Sequence, residues 1–97
     1  MEREELLQTV RDALPEMMAR YGILHLDLFG SFARNEGRPE SDVDFLVTFR
    51  GEPTFARYMG LKEDLEMLLD RNVDLVPIDG LKPRIRDSVI AESHRVA

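Results

Sequence analysis

Two aspartates with strand spacing are the residues of this chain that most directly indicate chemistry. Asp42 and Asp44 lie two apart in a run of apolar residues, so on a strand both side chains would point to one face, roughly 6.5–7 Å apart. Carboxylates held this close repel each other unless a cation joins them, and Mg²⁺ favours a few carboxylates plus phosphate oxygens. The pair therefore predicts a metal site for phosphoryl-type transfer, although a solvent-facing polar pair would give the same pattern.

A third acid, Asp74, is isolated in the apolar run Val73-Asp74-Leu75-Val76. If this strand lies beside the strand of Asp44, the two carboxylates can share a face. Asp74 could then bind a metal or act as general base toward an attacking hydroxyl. A charge that deters edge-to-edge sheet pairing is an equally good interpretation of the spacing.

A Gly-Ser pair precedes these acids and suits a phosphate. Gly30 and Ser31 follow an apolar strand, where glycine permits close approach to a ligand and serine adds a hydroxyl donor. Arg34 and Arg38 follow on the same connection, and Arg34 is the better candidate for a triphosphate contact. The alternatives are an ordinary strand-to-helix turn with a serine cap and solvated loop charges.

The elements that must position these residues alternate along the chain. Apolar residues at three- and four-residue spacing predict an N-terminal helix, which Pro15 should kink or divide. Leu24, Leu26 and Leu28 should share the inner face of the first strand. The predicted order is helix, strand, short helix, strand, helix, strand, helix, with strands at 23–29, 43–49 and 73–78 and a last helix whose first turn carries Pro83. This order predicts an α/β (α+β) domain with a small mixed sheet of three or more strands and helices packed on it.

Composition narrows the class of protein. We expect residues 1–97 to form a single domain. The formal charge of −6 disfavours binding of nucleic acid through its phosphates, and there are no cysteines to form disulfides or thiolate metal sites. We expect a cytoplasmic protein with no membrane segment.

The combined pattern resembles a known superfamily. Leu28-Phe29-Gly30-Ser31-Phe32-Ala33-Arg34, then Ser41-Asp42-Val43-Asp44-Phe45-Leu46-Val47, is similar to the signature of the DNA polymerase β-like nucleotidyltransferases. The short length and the Val73–Val76 tail resemble the minimal nucleotidyltransferases (MNT proteins, MntA-like antitoxins). One departure is Asn35, which stands where many family members have glycine.

The resemblance implies a polymerase β-like nucleotidyltransferase fold and a complete active site. It implies ATP as donor, Mg²⁺ held by Asp42, Asp44 and Asp74, and a triphosphate held by Gly30, Ser31 and Arg34. It also implies a partner, because minimal nucleotidyltransferases pair with HEPN-domain toxins and transfer AMP to a tyrosine of the toxin. The acceptor would then lie on another polypeptide, and homo-oligomers and hetero-oligomers both stay open.

Other hypotheses are kept beside this one. The chain could neutralise a HEPN partner by docking alone, with a vestigial site, although the retention of three acids counts against it. It could instead modify a small molecule or an RNA end. A small-molecule acceptor normally requires an additional binding domain, and the negative charge disfavours RNA.

Overall fold

The computed structural model describes residues 1–96, which alternate between helices and strands as the sequence predicts. We number four helices and four strands in chain order, with one short 3₁₀ turn at Ile78–Gly80. The elements are α1 (Arg3–Tyr21), β1 (Ile23–Phe29), α2 (Gly30–Ala33), β2 (Val43–Phe49), α3 (Phe55–Leu69), β3 (Val73–Pro77), α4 (Pro83–Glu92) and β4 (His94–Arg95).

The four strands form one mixed sheet in the order β3-β2-β1-β4. β2 and β3 run parallel, whereas β1 pairs antiparallel with both β2 and β4. The parallel pair requires a crossover, which α3 supplies. The predicted mixed sheet with packed helices is therefore confirmed, and Pro77 ends the edge strand β3, where its missing N–H is tolerated.

The core lies between the sheet and the two long helices. Alternate residues of β2 and β3 point into it, and α1 and α3 cover them with one apolar stripe each. The opposite face of β2 and β3 carries the acids singled out above. The buried cluster contains Leu6, Leu7, Val10, Leu14, Met17, Ile23, Leu26, Leu28, Phe32, Ala33, Val43, Phe45, Val47, Phe49, Leu61, Leu65, Leu69, Val73, Leu75 and Val96.

Helix α1 neither ends nor divides at Pro15. It continues to Tyr21, and Gly22 then closes it in the left-handed conformation, donating its N–H to the carbonyl of Met18 at 2.9 Å. Pro15 removes the hydrogen bond to the carbonyl of Arg11, but both residues lie on the exposed side of the helix, where water can reach that carbonyl. The apolar contacts on both sides of Pro15 hold the helix together.

Strand β1 departs from the predicted alternation at its start. A register shift between Ile23 and His25 places Ile23 in the core and leaves Leu24 41% exposed. The prediction that Leu24 shares the inner face with Leu26 and Leu28 is therefore wrong, because a bulge reverses the side on which one residue points.

The sequence pattern did not indicate the short strand β4. His94 and Arg95 pair with Leu28 and Asp27, and the N–H of Val96 donates to the carbonyl of Leu26 at 2.8 Å. Val96 is buried in the core. Two residues are too few to show a strand period, so the backbone pairing with β1 decides this element.

Arg57 binds four backbone carbonyls near the end of α1. Its guanidinium donates to the carbonyls of Tyr21, Gly22, Arg50 and Glu52 at 2.8–3.2 Å. The positive charge also lies at the C-terminal end of α1, where the helix dipole is negative. One side chain thus joins α1, the β2–α3 loop and α3.

We therefore expect Arg57→Gln to destabilise the fold. Its free energy of unfolding should fall by about 2–3 kcal/mol, because charge-assisted hydrogen bonds to partly buried carbonyls are lost. Urea denaturation measures this change. Arg84→Gln, which removes the same charge from an exposed position on α4, should stay within about 0.5 kcal/mol of the parent. Equal losses in the two variants would contradict the assignment.

Candidate active site

The parallel pairing of β2 and β3 brings two of the predicted acids together. Asp44 lies directly opposite Asp74 in the register, with Val43 opposite Val73 and Phe45 opposite Leu75. Because the flanking residues point into the core, both aspartates point to the other face of the sheet. Asp42 directly precedes β2 and lies two residues from Asp44, on the same side. The strand register therefore places Asp44 and Asp74 side by side on one face, as the residue spacing predicts.

Asp44 is the least solvated of the three acids. It is half-buried, whereas Asp42 and Asp74 are exposed. Burial, and then the negative charges of Asp74 and Asp42, raise the pKa of Asp44 from 3.8 to about 6, and Arg34 opposes this rise. Raised carboxylate pKa values of this origin are typical of functional sites.

This raised pKa predicts how stability depends on pH. The folded chain holds the Asp44 proton more tightly than the unfolded chain, so stability should fall as pH rises from about 4 through about 6. Asp44→Asn removes the cost of the charge. At pH 8 the variant should be more stable than the parent by about 1–2 kcal/mol, a figure reduced for solvent screening at a half-buried site.

Urea denaturation with EDTA present measures this prediction. The gain of Asp44→Asn should be much smaller at pH 4 and vanish below about pH 3, where the carboxyl is neutral in both the folded and the unfolded chain. Asp12→Asn, on the exposed side of α1, serves as the control and should show no such pH-dependent gain. A gain at Asp44 that is the same at pH 4 and pH 8 would contradict the assigned cause.

Gly30 lies against the carboxylate of Asp44. It has φ of +76°, and a Cβ built on it would collide with the Oδ2 atom of Asp44. Phe29, one residue earlier, is the β1 partner of Asp44 across the antiparallel pair. Two features therefore require glycine at position 30. Its backbone has a positive φ, and the carboxylate of Asp44 leaves no room for a side chain.

The connection after Gly30 forms a compact turn. α2 spans four residues, and the carbonyl of Ser31 accepts the N–H of Glu36 at 2.8 Å. Asn35 adopts φ of +60°, a conformation that glycine favours and asparagine tolerates better than most residues. Its Oδ1 also accepts the backbone N–H of Arg3 at 3.2 Å. The departure at Asn35 therefore preserves the left-handed turn.

The two arginines of this connection differ in their surroundings. The guanidinium of Arg34 contacts the carboxylates of Glu36 and Glu92 at 3.4 Å each. Arg38 is exposed, as Arg34 is, and its backbone N–H donates to the Oγ of Ser41 at 3.1 Å. The backbone N–H of Arg34 donates to the carbonyl of Gly30 at 3.2 Å. Arg34 is thus the arginine tied to the Gly30 turn.

The three acids fit a divalent cation as a donor set. Within the described part of the chain, no three His, Cys, Asp or Glu side chains come close enough together to hold a metal ion directly. Asp42 and Asp74 are exposed, so their side chains can rotate toward Asp44 without a backbone change. Mg²⁺ binds hard oxygen donors such as carboxylates, and its charge would offset the repulsion among these three aspartates.

A groove of about 730 Å³ borders the site on the side of Asp42. It runs between the α2–β2 connection and the end of α3. Asp42 lies at its border, but Gly30, Asp44 and Asp74 do not line it. This groove therefore does not enclose Asp44 or Asp74.

A fourth acid on this face, Asp27, was given no role by the sequence analysis. It is only 8% exposed, and its Oδ1 accepts the Nε–H of Arg95 at 3.0 Å. Asp27 pairs with Leu46 of β2, which lies two residues after Asp44 and points to the same face of the sheet. Asp27 is an isolated acid in an apolar strand, which is the same sequence signal that indicated Asp74. The sequence does not reveal its partner Arg95, because β4 is too short to be predicted.

Several known proteins are similar to this chain. The sequence profile of the nucleotidyltransferase domain family matches residues 7–96. Protein adenylyltransferase MntA of Thermococcus cleftensis is 37% identical over 92% of this chain and 90% of its own length. A solved structure of a protein assigned as a minimal nucleotidyltransferase is 40% identical, with a TM-score of 0.83 over 97% of this chain and 95% of its own.

A more distant structure shares the fold. It comes from a complex of a tri-AMPylated HEPN toxin of Shewanella oneidensis with an MNT antitoxin. The match has a TM-score of 0.67 at 18% identity, over 94% of this chain and 71% of the other.

Among residues 1–96, no helix is both long enough and apolar enough to cross a membrane.

Proposed function

Because the chain belongs to the nucleotidyltransferase domain family, we propose that it is a Mg²⁺-dependent enzyme that transfers AMP from ATP to a tyrosine of a HEPN-domain toxin, and thereby acts as the antitoxin. The similarity to MntA of Thermococcus cleftensis, a protein adenylyltransferase, supports a protein as acceptor. The fold shared with a complex of an MNT antitoxin and an AMPylated HEPN toxin is consistent with this partner.

The observation that carries the proposal is the pairing of Asp44 with Asp74 beside Gly30. Two strands deliver the carboxylates to one face, and the turn that follows β1 touches one of them. A phosphate held at this turn would lie next to the acids. This proximity is the requirement for nucleotidyl transfer, in which charge develops on phosphate oxygens and must be neutralised close by.

Each residue has a role in this proposal. Gly30 and Ser31 bind the triphosphate through the backbone and the hydroxyl, and Arg34 binds it through its guanidinium. Asp42, Asp44 and Asp74 hold Mg²⁺, which when bound neutralises phosphate charge and favours attack by a hydroxyl.

The transfer step itself involves the acceptor hydroxyl, the α-phosphorus and one carboxylate. The hydroxyl oxygen forms a bond to the α-phosphorus of ATP, the bond from that phosphorus to the bridging oxygen breaks, and pyrophosphate leaves. Asp74 accepts the hydroxyl proton.

The shape of the site supports an acceptor on a second polypeptide. The neighbouring groove is lined by Asp42 but not by Asp44 or Asp74. A groove that does not include Asp44 and Asp74 cannot hold a small acceptor against them, whereas a partner protein can present a side chain to these acids. The net charge of −6 also disfavours an RNA end as the acceptor.

Labelled ATP tests the proposed reaction. The chain is incubated with Mg²⁺ and a candidate HEPN-domain partner, once with α-labelled and once with γ-labelled ATP. We expect the partner to gain label from the α-position only, and EDTA to prevent the gain. Label from the γ-position would indicate a kinase reaction, and the absence of label from both would favour an antitoxin that acts by docking.

A further inference from the structure

The guanidinium of Arg34 is shared between two carboxylates at the border of the candidate site. Its Nη1 lies 3.4 and 3.5 Å from the two carboxylate oxygens of Glu92, and its Nε lies 3.4 Å from Oε1 of Glu36. Glu36 is a neighbour in the same turn. Glu92 is distant in sequence, so its contact joins the α2 turn to the C-terminal helix α4.

Helix α4 is held only loosely by its own side chains. None of its residues is buried, and Ile85 and Ile90 are each 42% exposed. Glu92 is the last residue of α4, directly before the segment that leads into β4. The ion pair with Arg34 is therefore a polar contact that ties the end of α4 to the α2 turn, next to the pairing of β4 with β1 that follows it.

The ion pair is of a kind that a phosphate can replace. Both side chains are more than a third exposed, and the separations of 3.4–3.5 Å are longer than those of strong charge-assisted hydrogen bonds. A guanidinium binds phosphate through short, paired hydrogen bonds, and a triphosphate carries more charge than one carboxylate. Arg34 cannot serve Glu92 and a nucleotide equally well in the same orientation.

We propose that Glu92 competes with the nucleotide for Arg34, so that binding of a triphosphate releases the end of α4 from the α2 turn. This inference rests on the proposed function, in which Arg34 binds the triphosphate of ATP. Glu92 is then a residue that sets nucleotide affinity without touching the nucleotide. It also couples occupancy of the site to the mobility of the C-terminal helix.

Two measurements on the full chain test this coupling. Calorimetry gives the Kd for ATP with Mg²⁺ and without acceptor, and hydrogen exchange with mass spectrometry follows the amides of α4. In Glu92→Gln we expect ATP to bind about 2- to 5-fold more tightly, since the competitor loses its charge. In the parent chain, ATP should speed exchange in α4, and in Glu92→Gln exchange should be fast before ATP is added.

Asp87→Asn is the matched control. It removes one negative charge from an exposed position of the same helix. We expect its Kd for ATP to stay within about twofold of the parent, because long-range charge effects at the surface are screened. The difference between the two variants isolates the contact with Arg34 from the general loss of negative charge.

Several results would overturn the inference. An unchanged or weaker affinity for ATP in Glu92→Gln would show that Glu92 does not compete. Exchange in α4 that does not respond to ATP in the parent chain would show that nothing is released. Absence of ATP binding to the parent chain would overturn the proposed function as well, whereas normal binding with identical variants would overturn this inference alone.

Discussion

A variant that carries both Asp42→Asn and Asp44→Asn should transfer AMP at least about a thousandfold more slowly than the parent chain. Asparagine keeps the size of each side chain but removes the negative charge that a divalent cation requires. The change also removes a charge that is costly at position 44, where burial and then the negative charges of Asp74 and Asp42 raise the pKa of the carboxyl. The variant should therefore fold normally and lose activity, a combination that a purely structural pair of acids would not give.

The control for this variant is a second double substitution of exposed acids. Asp12→Asn with Asp87→Asn changes the net charge equally, and both residues are exposed helix positions that have no proposed role in the site. We expect this control to retain activity within about twofold. Rates of transfer from α-labelled ATP and urea denaturation curves are measured for both variants. Undiminished transfer by the Asp42 and Asp44 variant would contradict the assigned site.

The second large effect should come from Gly30→Ala. The added methyl group would occupy the space of the Asp44 carboxylate, so that acid must move. A displacement of about 1 Å in a catalytic group can reduce a rate by about a hundredfold. We therefore expect Gly30→Ala to slow AMP transfer about a hundredfold and to destabilise the fold by about 1 kcal/mol because of its positive φ.

Gly51→Ala separates the two consequences of that substitution. Gly51 also has a positive φ, of +66°, but a Cβ there would meet nothing within 4 Å. It should lose about 1 kcal/mol of stability and keep its activity. Steady-state transfer rates and unfolding curves of both variants measure the change in activity and the change in stability separately. If the two alanine variants have similar activity, the contact between Gly30 and Asp44 has no catalytic consequence.

Local sequence patterns predicted much of the fold and the backbone of the site. The alternation in Val43–Phe49 and Val73–Val76 correctly assigned one face of each strand to the core, which left Asp44 and Asp74 on the other. The Gly-Ser signature and paired acids also indicated the nucleotidyltransferase family, which the profile match confirms. These signals succeed because they depend on strand period and residue type, both of which are local.

Features that depend on contacts between distant residues were not predictable. The bulge that exposes Leu24 and the pairing of β4 with β1 arise from backbone partners far away in the sequence. Similarly, α1 continues through Pro15 because packing on the sheet outweighs a local cost. The contacts of Arg34 with Glu92 and of Asp27 with Arg95 join residues 58 and 68 positions apart. The period of a helix or strand gives no information about contacts between residues so far apart in the sequence.

Under the proposed function, this chain attaches AMP to a tyrosine of a HEPN partner by means of Asp42, Asp44 and Asp74. Peptide mapping by mass spectrometry of the partner, after incubation with ATP and Mg²⁺, tests it most directly. We predict AMP on a tyrosine of the partner with the parent chain, and none with the Asp42→Asn/Asp44→Asn variant. An unmodified partner whose toxicity both chains still suppress would contradict the claim and establish inhibition by docking.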